Sequence, residues 1–277
     1  MTRQRFHQLD VFSAVPLKGN PLAVVHAAEG LADDTMAAFA RWTNLSETTF
    51  LLPPTDPAAD YQVRIFTPAG ELPFAGHPTL GSCHAWLAAG GVPRDPAAIV
   101  QQCGVGPVRI RRDSGRLAFA APPLRRSGPL EDDLLDRIIG GLGLSRADVL
   151  HHQWVDNGPG WCAVMLASAE QVLAARPDWP RLDGITLGLV GAQAAGHEAH
   201  FEVRALIGDG HYEDPVTGSL NASIAQWLMG AGLAPPRYVA AQGALLQRAG
   251  RVYLERSTDT VWVGGDVVIC IEGEVTL

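Results

Sequence analysis

The sequence predicts an α+β protein built from two similar halves, and three observations lead there. Short runs that alternate polar and apolar residues recur between Gly, Pro and Asn, the pattern of half-buried strands. Helical periodicity is confined to a few segments between those runs. A long segment that begins at Val63 returns, in altered form, at Val203.

Taken in chain order, RFHQLDVF, PLAVVHA and ETTFLLP read as strands. Between the last two lies a helix with Asp33 and Asp34 near its start, Met36, Ala37, Phe39 and Ala40 on a helical period, and Asn44 as its stop. The chain then turns directly into the strand Thr48 to Leu52, which leaves Ser46 and Glu47 at a helix-to-strand junction. A second helix is expected from His77 or Pro78, because proline has no N–H to leave unpaired in a first turn. Leu80, Cys83 and Leu87 share one face of it, and Gly90 with Gly91 ends it. VRIRRDSGRLAFA reads as a hairpin turning at Asp113, Ser114 and Gly115. The Pro-rich, charged stretch APPLRRSGPLEDD then marks a boundary, giving halves 1–124 and 125–277, with the last strand able to pair with the first half.

Composition limits the function classes. The chain has 277 residues, 47% hydrophobic and 18% charged, which suits a folded protein with a large core. A formal charge of -8 with scattered basic residues argues against nucleic acid or an anionic membrane as partner. No apolar run reaches transmembrane length and Met1 to Leu9 lacks a signal-peptide core, so a cytoplasmic location is expected. Cys83, Cys103, Cys162 and Cys270 form no CxxC pair, and His197 and His200 stand in HEAH rather than HExxH. Neither set signals a metal. GVG at Gly104 and GLG at Gly141 lack the third glycine of a dinucleotide fingerprint, and no phosphate-binding GKS or GKT occurs.

The duplication is where function is legible. Laid from Val63 against Val203 with a two-residue slip, Glu71 meets Glu213, Pro73 meets Pro215 and Gly76 meets Gly218. Each copy then runs into a helix that carries a tryptophan and closes at glycine. Downstream, QQCGVGPVRIRRDSGRLAF resembles AAQGALLQRAGRVYLE. Two related halves that pack about a pseudo-twofold axis would face two glycine-led helix starts across one cleft. A helix start presents unpaired N–H groups and a partial positive charge, which suits a small carboxylate. Either segment alone reads better as merely a well-capped helix, with Ser219 as the capping residue. The repetition favours a binding role, since it places His77 in one copy and Asp214 and Ser219 in the other. Histidine titrates near neutral pH, and an aspartate opposite it would orient or charge the ring.

The segments GNPLAVV, NLSETTFL, RIFTPAGELPFAGHPTLG, EDPVTGS, and QG followed by GR resemble the phenazine biosynthesis PhzF-like isomerases of the diaminopimelate epimerase superfamily. The likeness runs in order from about Phe6 to the final strands. It implies a diaminopimelate epimerase-like fold of two pseudo-symmetric halves, each a curved sheet around a central helix, in a homodimer that needs no metal or cofactor. It also implies that Glu47 is the acid/base, that His77 and Asp214 assist it, and that Ser46, Gly76, Gly218 and Ser219 lie against the substrate. Racemases of the superfamily carry thiols just before each repeated glycine. Here those positions are Ala75 and Thr217, so two-cysteine stereoinversion is unavailable.

The expected reaction is a double-bond shift in which Glu47 takes a proton from one carbon of a small carboxylate and returns it to another. Partial desolvation would raise its pKa to suit both steps. Two alternatives stand beside it: an epimerase or racemase using bases such as Glu47 and Asp214, and a binding protein without turnover. Ala205, Leu206 and Ile207 before the second motif, and Leu220 with Asn221 after Ser219, depart from the family pattern. The family's dihydro-hydroxyanthranilate substrate is therefore not assumed.

Overall fold

The computed structural model describes residues 2–113 and 115–277. The elements begin with β1 (Arg3–Val11), β2 (Asn20–Val25), α1 (Asp33–Thr43), β3 (Glu47–Leu52), β4 (Tyr61–Phe66) and β5 (Glu71–Leu72). Then come α2 (Gly76–Ala88), β6 (Ala98–Cys103), β7 (Gly106–Asp113), β8 (Arg116–Ala120), β9 (Arg126–Gly128) and α3 (Asp132–Leu142). The middle of the chain supplies β10 (Val149–Asp156), β11 (Trp161–Leu166), α4 (Ala169–Ala174), α5 (Trp179–Leu182), β12 (Thr186–Ala192) and β13 (Phe201–Ile207). The remainder is β14 (Tyr212–Asp214), α6 (Gly218–Gly230), β15 (Arg237–Gln242), β16 (Gly250–Ser257), β17 (Thr260–Gly265) and β18 (Val267–Thr276).

The chain divides into two compact units, Met1–Ala120 with Gly264–Leu277, and Ala121–Val263. The division falls at the head of the Pro-rich stretch, and β18 belongs to the first unit because it pairs antiparallel with β1 along its length.

Pairing in the two units repeats step for step. In the first, β1–β2 is antiparallel, β2–β3 parallel, β3–β4 antiparallel, β4–β5 a hairpin, β4–β6 parallel and β6–β7 antiparallel. In the second, β10–β11, β11–β12, β12–β13, β13–β14, β13–β15 and β15–β16 follow the same sequence of senses. The duplication legible from Val63 and Val203 thus extends over whole units. The expected epimerase-like α+β architecture is the observed one.

Each unit keeps one helix against its sheet. In the first, α2 contacts β1, β2, β3, β6, β8 and β18, and its residues from Gly76 to Cys83 are all buried. A helix so enclosed needs small residues where backbones approach. A Cβ on Gly81 would stand 2.5 Å from the Leu22 side chain. In the second unit α6 takes this place, buried from Leu220 to Ala225, and Gly188 on β12 makes room for Leu220. The outer face of the first sheet is sealed by α1 through Met36, Phe39 and Ala40 against Val25, Phe50 and Phe66. That of the second is sealed by α3, α4 and α5 around Ile138, Val172, Leu182 and Leu189.

Helix ends follow local chemistry. Asn44 closes α1 in the left-handed conformation, φ 54°, as expected of a residue that tolerates that region. Helix α2 starts one residue ahead of the expectation, at Gly76, with Pro78 in its first turn. The expected hairpin is β7–β8, although its turn residue Ser114 lies outside the described residues. Ser219 does not cap α6. Thr217 is the capping residue, and it makes no side-chain cap bond; its hydroxyl oxygen instead accepts from Gln242 Nε2 while its O–H donates to Asp214.

Candidate active site

In the first unit the tight passage from α1 to β3 sets Glu47. Asn44 turns the chain, Ser46 is half-buried, and Glu47 opens β3 in register with Leu22 of the parallel strand β2. Cross-strand partners share a face, and Leu22 is the side chain against Gly81 of α2, so Glu47 points toward the enclosed helix. Its side chain is 15% exposed.

His77 meets it from the first turn of α2. The ring is 6% exposed, with Nε2 3.4 Å from Glu47 Oε2. Burial pushes its pKa down to about 3, against a hydrogen bond to the Pro21 backbone that favours the charged form. His77 is therefore a neutral imidazole at pH 7, not the neutral-pH titrator that its residue type suggests. The cause is the low dielectric of a helix start packed inside a sheet. Gly76 is buried beside it, and Ala75, at the position of the superfamily's first thiol, is the helix-capping residue without a side-chain cap.

Cys83 does not replace that thiol. It is fully buried and its pKa is pushed up to about 12 by desolvation, which keeps it protonated and inert. Among the described residues, no group of three or more His, Cys, Asp and Glu side chains is arranged to hold a metal ion.

In the second unit Asp214 ends β14 and Ser219 lies in the first turn of α6. Thr217 Oγ1 donates to Asp214 Oδ2, so the second thiol position holds a hydroxyl already engaged with the carboxylate. Buried Gln242 organises this turn. Its Nε2 donates to the Asp214 carbonyl and to Thr217 Oγ1, at 3.0 and 2.9 Å, and its Oε1 accepts from Thr217 N and Asn221 Nδ2, at 3.0 and 2.8 Å. Trp161 Nε1 donates to Ser219 Oγ at 3.0 Å, and Asn157 Nδ2 to the Ser219 carbonyl at 2.9 Å. A hydroxyl that accepts from an indole keeps its own proton for another partner. Gly218 is buried at the helix start.

The structure thus brings Glu47 and His77 into contact, and sets Asp214, Gly218 and Ser219 around one helix start. Sequence reasoning missed Pro21, Asn157, Trp161 and Gln242 as supports. Pro21 and Gln242 lie inside the quoted stretches GNPLAVV and QG, where a role was there to be sought.

It also missed a repeated clamp. Arg64 on β4 grips Glu71 through Nε and Nη2, at 2.8 and 2.7 Å, and Arg204 on β13 grips Glu213 through the same two atoms, at 3.1 and 2.8 Å. Each pair fastens the hairpin that delivers the chain to a glycine-led helix. The signal was present, since both copies open with Val-Arg and carry a Glu before the proline.

A family model described as phenazine biosynthesis-like protein matches residues 9–273. "Antisense-enhancing sequence 1" of Schizosaccharomyces pombe is 32% identical, over 99% of each chain. An uncharacterised isomerase of Pasteurella multocida is 31% identical, over 99% of this chain and 95% of its own. A trans-2,3-dihydro-3-hydroxyanthranilate isomerase of Pseudomonas aeruginosa is 34% identical, over 63% of this chain and 61% of its own. Among solved structures, a phenazine biosynthesis protein of the PhzF family from Enterococcus faecalis superposes with a TM-score of 0.83 at 23% identity, over 100% of both chains. A hydroxyproline epimerase from Agrobacterium vitis gives 0.59 at 13% identity, over 99% of this chain and 92% of that one, a likeness of fold alone.

Proposed function

Because the chain belongs to the phenazine biosynthesis-like family, we propose that it is a cofactor-independent isomerase that moves a proton between two carbons of a small carboxylate, with Glu47 as the shuttle. The observation that carries this reading is the Glu47 carboxyl group, largely withdrawn from water against a neutral imidazole at 3.4 Å.

The proposed steps balance within the substrate. Glu47 takes a proton from a carbon activated by conjugation, and the electron pair of that C–H bond becomes a new double bond. The former double bond then uses its pair to take the proton back at the second carbon. One carboxyl group serves both steps, which requires a pocket that keeps bulk water from exchanging the proton. In the second unit, the roles proposed are anion binding by Ser219 and the N–H groups at the start of α6, and charge stabilisation by Asp214. Ser46, Gly76 and Gly218 line the bound substrate in the same reading.

Epimerisation by non-thiol bases would require Asp214 to act as a second acid/base. Its carboxylate already accepts from Thr217, which favours an orienting role. The relatives' hydroxyanthranilate substrate is not transferred, since Ala205 to Ile207 and Leu220 with Asn221 change the second unit's wall. A homodimer, located in the cytoplasm, is part of the proposal, and sedimentation at twice the chain mass checks the assembly.

The deciding experiment follows carbon-bound protons of unsaturated and amino-substituted small carboxylates in heavy water by NMR. Double-bond migration identifies an isomerase, exchange with inversion an epimerase. E47Q is expected to lower turnover by about 10²- to 10⁴-fold. Undiminished turnover and exchange in that variant would overturn the assignment.

A further inference from the structure

In the first unit, two contacts hold α2 against β3. Ser82 Oγ donates to Thr49 Oγ1 at 2.9 Å, and nearer the helix start His77 Nε2 stands 3.4 Å from Glu47 Oε2. The second unit repeats this docking with other residues. Gly188 takes the place of Thr49 and Ile224 that of Ser82: a Cβ on Gly188 would lie 3.4 Å from the Ile224 side chain and 2.6 Å from that of Leu220. Strand register agrees, since Thr186 pairs with Trp161 across the parallel strands β11 and β12 as Glu47 pairs with Leu22 across β2 and β3. Thr186 lies two residues before Gly188 on the same face, so it occupies the place of Glu47. Ser219 occupies that of His77, each following the glycine that opens its helix.

Neighbouring strands converge on the same spot. Asn157, just past β10, donates Nδ2 to the Ser219 carbonyl, and Trp161, first in β11, donates Nε1 to Ser219 Oγ. Thr186, first in β12 and half-buried, is the next side chain in that row. Asn157 is 7% exposed, and its Oδ1 has no hydrogen-bond partner among the described residues. Buried polar atoms are ordinarily paired, so this oxygen marks the turn as a place for a ligand's own donor. We propose that Thr186 is a substrate-binding residue whose hydroxyl, beside that of Ser219, donates to the substrate carboxylate at the start of α6. A carboxylate accepts several hydrogen bonds at once, and two hydroxyls donate to it without taking up a proton near neutral pH. Where the first unit sets a carboxyl group against an imidazole, the second sets a pair of hydroxyls that holds charge and moves no proton.

The inference rests on the reading of the protein as an enzyme of small carboxylates, yet its test needs no turnover. Crotonate, an unsaturated monocarboxylate, is titrated into the full-length protein labelled with ¹⁵N-tryptophan, with crotonamide as the uncharged control. The Trp161 indole signal, identified by its loss in W161F, reports on Ser219, and crotonate but not crotonamide should move it. T186V keeps the branched shape and removes the hydroxyl. Hydrogen bonds to charged groups are the stronger ones, so its Kd for crotonate should rise about tenfold, whereas T186S should keep the wild-type value. An indole signal that crotonate leaves in place overturns the proposal. So does an unchanged Kd in T186V, or a Kd in T186S raised as far as that of T186V. If T186V fails to fold, T186A is read in the same way. If T186V weakens binding while E47Q turns over undiminished, the reading of Glu47 fails and this subsite stands. If E47Q loses turnover while T186V binds crotonate as the wild type does, the subsite alone fails.

Discussion

A hydroxyl's usefulness depends on what already occupies it, and Ser219 illustrates this at the scale of one residue. The Trp161 indole fills one of its acceptor positions, so rotation about the Cβ–Oγ bond is restrained and the O–H is left to donate. Trp161→Phe removes the N–H together with part of a buried ring, so thermal unfolding is measured beside the kinetics to separate lost packing from the lost hydrogen bond. An intramolecular hydrogen bond is worth about 1 kcal/mol net, so KM for a carboxylate substrate should rise about fivefold with kcat nearly unchanged. A kcat loss as large as the KM rise would place Ser219 in the chemical step instead. Glu47 and His77 were nameable from NLSETTF and FAGHP, but the charge state of His77 was not. It is set by how tightly a sheet encloses the start of α2, a long-range property that local sequence does not carry.

At the scale of elements, one clamp occurs twice with different burial. The Arg204 and Glu213 side chains are 4% and 6% exposed, and Arg204 Nη1 also reaches the Val172 and Ala175 carbonyls at the end of α4. Arg64 and Glu71 are 23% and 41% exposed. Removing one partner of a buried pair strands the other charge, so Arg204→Met should cost about 3–5 kcal/mol in urea unfolding. Arg64→Met should cost about 1 kcal/mol or less, since water screens the charge left behind. Adding Glu213→Leu to Arg204→Met should recover much of the loss; no recovery would mean that the α4 contacts dominate. The duplication was readable because both copies keep Val-Arg, Glu, Pro and Gly in order. The capping of α6 was not, because Ser219 and Thr217 are both good capping residues. The choice falls to Gln242, which arrives from β15 and ties down Thr217.

At the scale of the molecule, the buried titratable groups divide between the units. The first unit holds His7, His26, His77 and His84, all with pKa lowered chiefly by burial. His26 is pushed down to about 4, with His7 at 3.2 Å adding to the effect. Such residues bind protons more readily when unfolded, so their contribution is full above about pH 6.5 and is lost as pH falls toward 4 and 3. For His26 alone that is at most roughly 3 kcal/mol. Glu202, in the second unit, is pushed up to about 7 by burial and binds protons more readily when folded. Its contribution is full below about 4.5 and is lost as pH rises through 7. Thermal unfolding across pH 4–8 should therefore show His26→Gln flattening the acid limb and Glu202→Gln the neutral one. Variants that leave both limbs unchanged would refute this division. The sequence allowed two halves and a returning last strand, and the repeated pairing of strands explains why one amphipathic pattern served both. The antiparallel pairing of β1 with β18 carries a further consequence for biosynthesis. Residues Ala121–Val263 are contiguous and can fold as soon as they clear the ribosome, whereas β1 must wait, one edge bare, for a partner translated more than two hundred residues later. Nascent chains halted before Val267 should consequently accumulate as chaperone clients with an adhesive N-terminal portion.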